Sequence, residues 1–207
     1  MARVLFIDGC VREESSRTLE LAAAYLDAWR RFRPQDGIET VRLNELRLRP
    51  YDAQTMRALA ALGQNWDAPQ YAFARQFRDA DHLIIAAPFW NGTFPAALHT
   101  YLEHICVAGL TFVYEENAYK GFCRAHECVF LTTRGGFYET GKPQLSEIAA
   151  PFLRSLLTMQ GVDRLYVVAA EGLDVEGQDA QAILARAKEK ARALAETLTA
   201  QSLPNVD

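Results

Sequence analysis

Three short stretches concentrate the residues able to do chemistry. The first, Gly9-Cys10-Val11-Arg12-Glu13-Glu14-Ser15-Ser16-Arg17-Thr18, sets hydroxyls and two arginines just ahead of a helical pattern. A helix N-terminus leaves backbone N–H groups unpaired, and its dipole favours an anion. Arginine adds bidentate, charge-assisted contacts to phosphate. The stretch matches neither the phosphate loop of nucleoside triphosphatases nor the glycine fingerprint of dinucleotide folds. A single terminal phosphate suits it better. A solvated helix cap flanked by surface arginines would use the same residues, and this loop alone divides evenly between the two readings.

The second stretch is Pro88-Phe89-Trp90-Asn91-Gly92-Thr93-Phe94-Pro95. Two prolines bracket aromatics, an amide and a glycine. Flat apolar groups beside backbone donors suit a planar heteroaromatic ring; the alternative is a hydrophobic plug over the sheet edge. The third, Thr132-Thr133-Arg134-Gly135-Gly136-Phe137-Tyr138, carries adjacent glycines that let backbone approach a ligand closely. A glycine pair also makes a simple turn. Its weight comes from its place at the end of a strand.

The elements that must hold these stretches are short and apolar. Residues 3–8 form a β-branched run that reads as a strand buried on both faces. Helical spacing follows from Ser16 to Pro34, with Ser15 or Ser16 as N-cap. Further strands are expected at 38–43, 80–87, 127–133 and 165–170, and a short extended piece at 111–114. Helices are expected at 55–62, 68–79, from Pro95 to about Val107, at 145–160 and at 178–200. Five buried strands alternating with helices point to one α/β domain over residues 1–207, built on an open, doubly wound parallel sheet. Ligands in such sheets sit beyond the carboxyl ends of the strands, where the three stretches fall.

Bulk properties narrow the function classes. The 207 residues carry a net charge of −4, which argues against nucleic acid as a main partner. No apolar run approaches the ~18 residues of a membrane span. Met-Ala-Arg leads straight into Val4-Leu5-Phe6-Ile7 without a signal-peptide pattern, so the cytoplasm is the expected address. Cys10, Cys106, Cys123 and Cys128 are then expected as free thiols. Cys123, His126 and Cys128 match no common zinc spacing, and no metal centre is expected. His82, His99, His104 and His126 form no cluster and are read as packing residues. Residues 202–207 read as disordered.

Taken together, the sequence resembles the flavodoxin-like NAD(P)H:quinone oxidoreductases and FMN-dependent azoreductases over nearly its whole length. The most specific matches are Phe94-Pro95-Ala96-Ala97-Leu98, Gly109-Leu110-Thr111-Phe112 and Tyr114-Glu115-Glu116-Asn117, with Thr133-Arg134-Gly135-Gly136 and Ala170-Glu171-Gly172. The resemblance implies strand order 2-1-3-4-5 with helices on both faces, and a homodimer whose sites are completed by the neighbouring subunit. It implies FMN, its phosphate at Cys10, Arg12, Ser16, Arg17 and Thr18. The flavin ring would lie on Pro88, Phe89, Trp90, Asn91 and Gly92, with Thr133, Arg134, Gly135, Gly136 and Tyr138 at its other edge. Phe112 and Tyr114 would meet a small-molecule electron acceptor. The implied reaction is ping-pong, two-electron transfer from NADH or NADPH to a quinone or azo compound, with no side chain strictly catalytic. Two departures stand out. Cys10 replaces a common serine with a weak donor, and Gly92 replaces a bulky aromatic, which should widen the acceptor space. Alternatives from other classes are a flavodoxin-type electron carrier, a binding module without flavin, and a flavin reductase supplying a partner.

Overall fold

The protein is described by a computed structural model covering residues 1–139 and 145–201. The expectation for residues 202–207 therefore lies outside the described residues. The main sheet has five parallel strands: β1 Arg3–Asp8, β2 Gly37–Arg42, β3 His82–Ala86, β6 Glu127–Thr133 and β7 Arg164–Ala170. Their order, β2-β1-β3-β6-β7, is the expected 2-1-3-4-5 pattern of the main sheet. An antiparallel hairpin, β4 Phe112–Glu115 with β5 Ala118–Gly121, stands apart from it.

Alternation along the central strands explains the two layers of helices. Leu5 and Ile7, Leu83 and Ile85, Cys128 and Phe130 point to one face. There they meet α3 Ala72–Asp79, α4 Ala96–Ile105 and α5 Ala149–Met159 through Phe77, Leu98, Tyr101, Leu102, Leu153 and Leu157. Val4 and Phe6, Ile84 and Ala86, Val129 and Leu131 point to the other face. That face is covered by α1 Arg17–Phe32 and α6 Ala180–Gln201. Each fully buried Leu or Ile contributes roughly 1.5–3 kcal/mol, so both layers are firmly held. The remaining helix, α2 Ala53–Leu62, buries none of its residues fully and is capped by Asp52, whose carboxylate accepts from Thr55 N at 2.7 Å.

Two departures from the sequence reading have local causes. The helix expected over 145–160 begins only at Ala149. Pro151 lacks an N–H and tolerates only a first-turn position, and Glu147 caps the turn by accepting from Ala150 N at 2.9 Å. The extended piece at 111–114 gains a partner strand. Glu116 and Asn117 both take positive φ, 51° and 63°, which builds the two-residue turn whose twist suits a hairpin.

Candidate functional site

The loops after β1, β3, β6 and β7 meet at the carboxyl end of the sheet and enclose a cleft of about 270 Å³. The first loop contributes Arg12, Ser15, Ser16, Arg17 and Thr18; the second Pro88, Phe89 and Trp90; the third Thr133, Gly135 and Tyr138; the last Asp174. Ser16 is the N-cap of α1: extended at φ −84°, its Oγ accepts from Leu19 N at 3.3 Å. The amides of Arg17 and Thr18 are first-turn donors that no helical carbonyl can reach. Arg12 has no carboxylate partner among the described residues.

Hydrogen bonds lock the loops to one another. Thr18 Oγ1 and Thr133 Oγ1 lie 2.6 Å apart, and Phe89 N donates to Thr133 O at 3.0 Å. Asn91 and Gly92, at φ 52° and 85°, form a tight turn in which Trp90 and Thr93 exchange both backbone bonds. That turn presents Phe89 and Trp90 to the cleft. Tyr138 lies against Phe89 with ring centroids 4.3 Å apart. One end of the cleft is therefore a set of N–H, hydroxyl and guanidinium donors, and the other is an aromatic wall.

Ten of the residues anticipated for a cofactor line this cleft: Arg12, Ser16, Arg17, Thr18, Pro88, Phe89, Trp90, Thr133, Gly135 and Tyr138. Others take different places. Cys10 is buried under the first loop, its Sγ 3.7 Å from Ala86 O and its N–H donating to Asp8 Oδ1 at 2.9 Å. Burial, and then the Asp8 charge, push its thiol far up, so it sits there protonated. Asn91, Gly92 and Gly136 shape the backbone behind the wall. A Cβ on Gly92 would make ordinary van der Waals contact with Ser146 O and Leu145, at 3.4 and 3.5 Å, and it is the backbone, at φ +85°, that favours glycine there. Arg134 turns inward, with 1% of its side chain exposed. Phe112 and Tyr114 lie on the hairpin, away from the cleft lining.

The sequence reading missed Ser15, Asp174 and Glu171. Arg17 Nη2 lies 2.8 Å from Asp174 Oδ1 and Nη1 donates to Leu173 O at 3.2 Å, strapping the first loop to the last. Glu171 accepts the amides of Tyr138 and Glu139 at 3.2 and 3.4 Å. Ser15 was already an N-cap candidate and Glu171 lay in the Ala170-Glu171-Gly172 match; for Asp174 the signal was its place after the last strand, where the same carboxyl-end rule applies. A roomier groove of about 700 Å³ lies at the amino ends of β1 and β2, lined by Arg3, Glu39, Phe73 and Gln76. It has no comparable convergence of donors. Chemistry, not volume, therefore favours the smaller cleft.

Comparison with known proteins agrees with this geometry. The family model described as the flavodoxin-like fold matches residues 2–195. The chain belongs to the flavodoxin-like family. It is 34% identical over 194 residues to FMN-dependent NADH:quinone oxidoreductase 2 of Clostridium acetobutylicum, covering 93% of this chain and 97% of the relative. It is also 34% identical over 197 residues to the FMN-dependent NADH:quinone oxidoreductase of Azotobacter vinelandii, covering 92% and 98%. Among solved structures, an azoreductase from Bacillus anthracis superposes with a TM-score of 0.84 at 25% identity, covering 95% of this chain and 100% of that one. An FMN-dependent NADH-azoreductase from Bacillus anthracis in complex with FMN superposes with a TM-score of 0.85 at 21% identity over 96% and 100% of the two chains; at that identity the likeness speaks for the fold. Flavodoxin-like relatives thus match this chain over nearly their full length.

Proposed function

We propose that this protein is an FMN-dependent NADH oxidoreductase that reduces quinones or azo compounds. The observation that carries the reading is one cleft with an anion-ready helix terminus at one end and an aromatic wall at the other, in a chain whose relatives are FMN-dependent NADH:quinone oxidoreductases. The donor set fits FMN. Its phosphate would take the amides of Arg17 and Thr18, the Ser16 hydroxyl, the one proton the pair of Thr18 and Thr133 leaves free, and the Arg12 guanidinium. Its ring would take the wall of Pro88, Phe89 and Trp90 with Tyr138 packed against it, and the backbone of Gly135 would meet the ring's edge. The chemistry FMN supplies when bound is uptake and release of two electrons.

The chain's own residues then bind, orient and exclude water. The Asn91-Gly92 turn holds Phe89 and Trp90 in place. Thr133 ties the phosphate end to the ring end through its bonds to Thr18 and to Phe89 N. No side chain is assigned a proton-transfer step. Cys10 is a protonated, buried thiol, and its proposed part in phosphate binding reduces to supporting the loop from beneath.

A homodimer in the cytoplasm completes the proposal. Tyr114 and Tyr119 on the hairpin, Phe122 just after it, and Ile148 and Phe152 around α5 are large apolar side chains left exposed. A depression of about 650 Å³ lined by Tyr119, Phe152, Leu156 and Met159 lies among them. Apolar patches of this kind mark protein interfaces. In a dimer, Phe112 and Tyr114 would approach the neighbour's cleft and meet the acceptor there. No helix of the described chain is long and apolar enough to cross a membrane.

Anaerobic NADH oxidation by the FMN-loaded protein, with menadione and then an azo dye as acceptor, tests the reading. Turnover with either is expected. An apoprotein that takes up no FMN, or a loaded protein that oxidises no NADH, would sink it.

A further inference from the structure

Arg134 stands behind the cleft wall instead of in it. Its Nη1 lies 2.6 Å from Glu171 Oε1 and 3.2 Å from Glu139 Oε1, and its Nη2 lies 3.7 Å from Glu147 Oε2. The carboxylates come from three places: the stretch after β6, the segment ahead of α5, and the loop after β7. Glu171 is doubly used, because the same carboxylate accepts Tyr138 N at 3.2 Å and Glu139 N at 3.4 Å. Glu147 accepts from Ala150 N in the first turn of α5. The guanidinium carbon sits 5.8 Å from the centroid of Phe89. Backbone bonds complete the frame: Arg134 O accepts Leu173 N at 3.2 Å, Gly135 O accepts Asp174 N at 2.9 Å, and Gly136 O accepts Gly172 N at 2.9 Å.

An ion cluster built on a buried arginine is a poor source of stability, since replacing all its members with well-packed hydrophobes often does as well or better. What it does supply is a fixed arrangement of the segments it joins. We infer that Arg134 is a positioning residue: by gathering Glu171, Glu139 and Glu147 it holds Tyr138 and Phe89 in register as the wall on which the flavin ring stacks. The ligand in that statement rests on the FMN reading; the role of Arg134 in setting the wall does not.

The test compares wild type, R134M and R134K by amide hydrogen exchange of the apoprotein, FMN titration and thermal unfolding. In R134M the amides of Tyr138 and Glu139 are expected to exchange roughly tenfold faster or more, while those of β6 do not change. FMN is expected to bind roughly tenfold more weakly, and the unfolding temperature to fall, because Glu171 and Glu147 lose their partner cation. R134K keeps a charge for Glu171 and is expected to recover part of both losses. A folded R134M with wild-type exchange at both amides and wild-type FMN affinity would overturn the inference. So would an R134K no better than R134M with both unfolding early, since that pattern belongs to a merely structural residue. If R134M does not fold, E171Q decides by the same measurements, because it keeps an acceptor but removes the charge pair. A wild-type protein that binds no FMN would overturn the cofactor reading alone, and the exchange data would still decide the role of Arg134.

Discussion

Thr18 and Thr133 show how much a single pair of side chains decides here. Their hydroxyls meet at 2.6 Å in a buried position, 115 residues apart in the chain. Removing one partner leaves the other unsatisfied, which costs about 1–3 kcal/mol, whereas removing both is far milder. T18V and T133V are therefore each expected to destabilise the apoprotein in urea unfolding, and the double variant by less than their sum. All three should bind FMN more weakly, because hydroxyls at the phosphate end are gone. Additive stability losses would show that the bond does not join the loops. His82 offers a different test. It is buried against Trp29, with ring centroids 4.1 Å apart, hydrogen-bonded to Tyr25 Oη at 2.9 Å and 3.6 Å from Glu127. Burial lowers its pKa from 6.5 to about 3, with Asp36 opposing. Below pH 6.5 the unfolded chain takes up a proton that the folded chain refuses. The stability tied to neutral His82 is thus complete above about pH 6.5 and is lost as pH falls toward 3. Glu127, raised by burial above its usual 4.5, acts with the opposite sign and offsets part of this at the acid end. Urea midpoints are expected to fall from pH 7 to pH 5, with a shallower slope in H82Q; equal slopes would contradict the assignment.

At the scale of elements, connections carry the specificity and a few backbone positions carry the connections. Gly172 has φ +81°, and a Cβ there would overlap the Phe137 ring. Ala is strained at such a position, so G172A is expected to lose more than about 1 kcal/mol and to weaken FMN binding through the third loop, read by thermal unfolding and flavin titration. Wild-type behaviour in both would show that the two loops are not coupled. Gly121 has a different constraint: a side chain would collide with the backbone of Gln160 and Gly161, where the hairpin docks on the end of α5. The turn at Asn91-Gly92 carries a hairpin signature readable from sequence. The sequence reading used those residues for their chemistry and not for their turn. Pro151 was equally visible, and its missing N–H is why α5 starts four residues late.

For the whole molecule, the apolar surface around the hairpin and α5 sets the expected assembly. Charge placed there should oppose it. Y119E combined with F152E is expected to convert a dimer to a monomer in sedimentation velocity, and to lower turnover with quinone more than FMN binding. A wild type that sediments as a monomer would refute the assembly. The two core layers do not depend on it, since each helix layer closes its own face of the sheet.

The sequence by itself determined the sheet, its helices and the end at which the cleft lies. Buried strands of an α/β sheet are written as local apolar runs, and helices as local periodicity, so both are legible within a dozen residues. It also determined which loops line the cleft, because strand ends fix loop positions. Only the tertiary structure decided which side of each loop faces the cleft. Loop side chains follow no period; their directions come from partners far along the chain. Arg17 is turned by Asp174, 157 residues away, and Arg134 by Glu171, 37 residues away. Cys10 is drawn beneath its loop, beside Ala86, by the same long-range packing. That is why two residues that look alike in sequence, Arg12 and Arg134, end up as a donor at the cleft and a strut behind it.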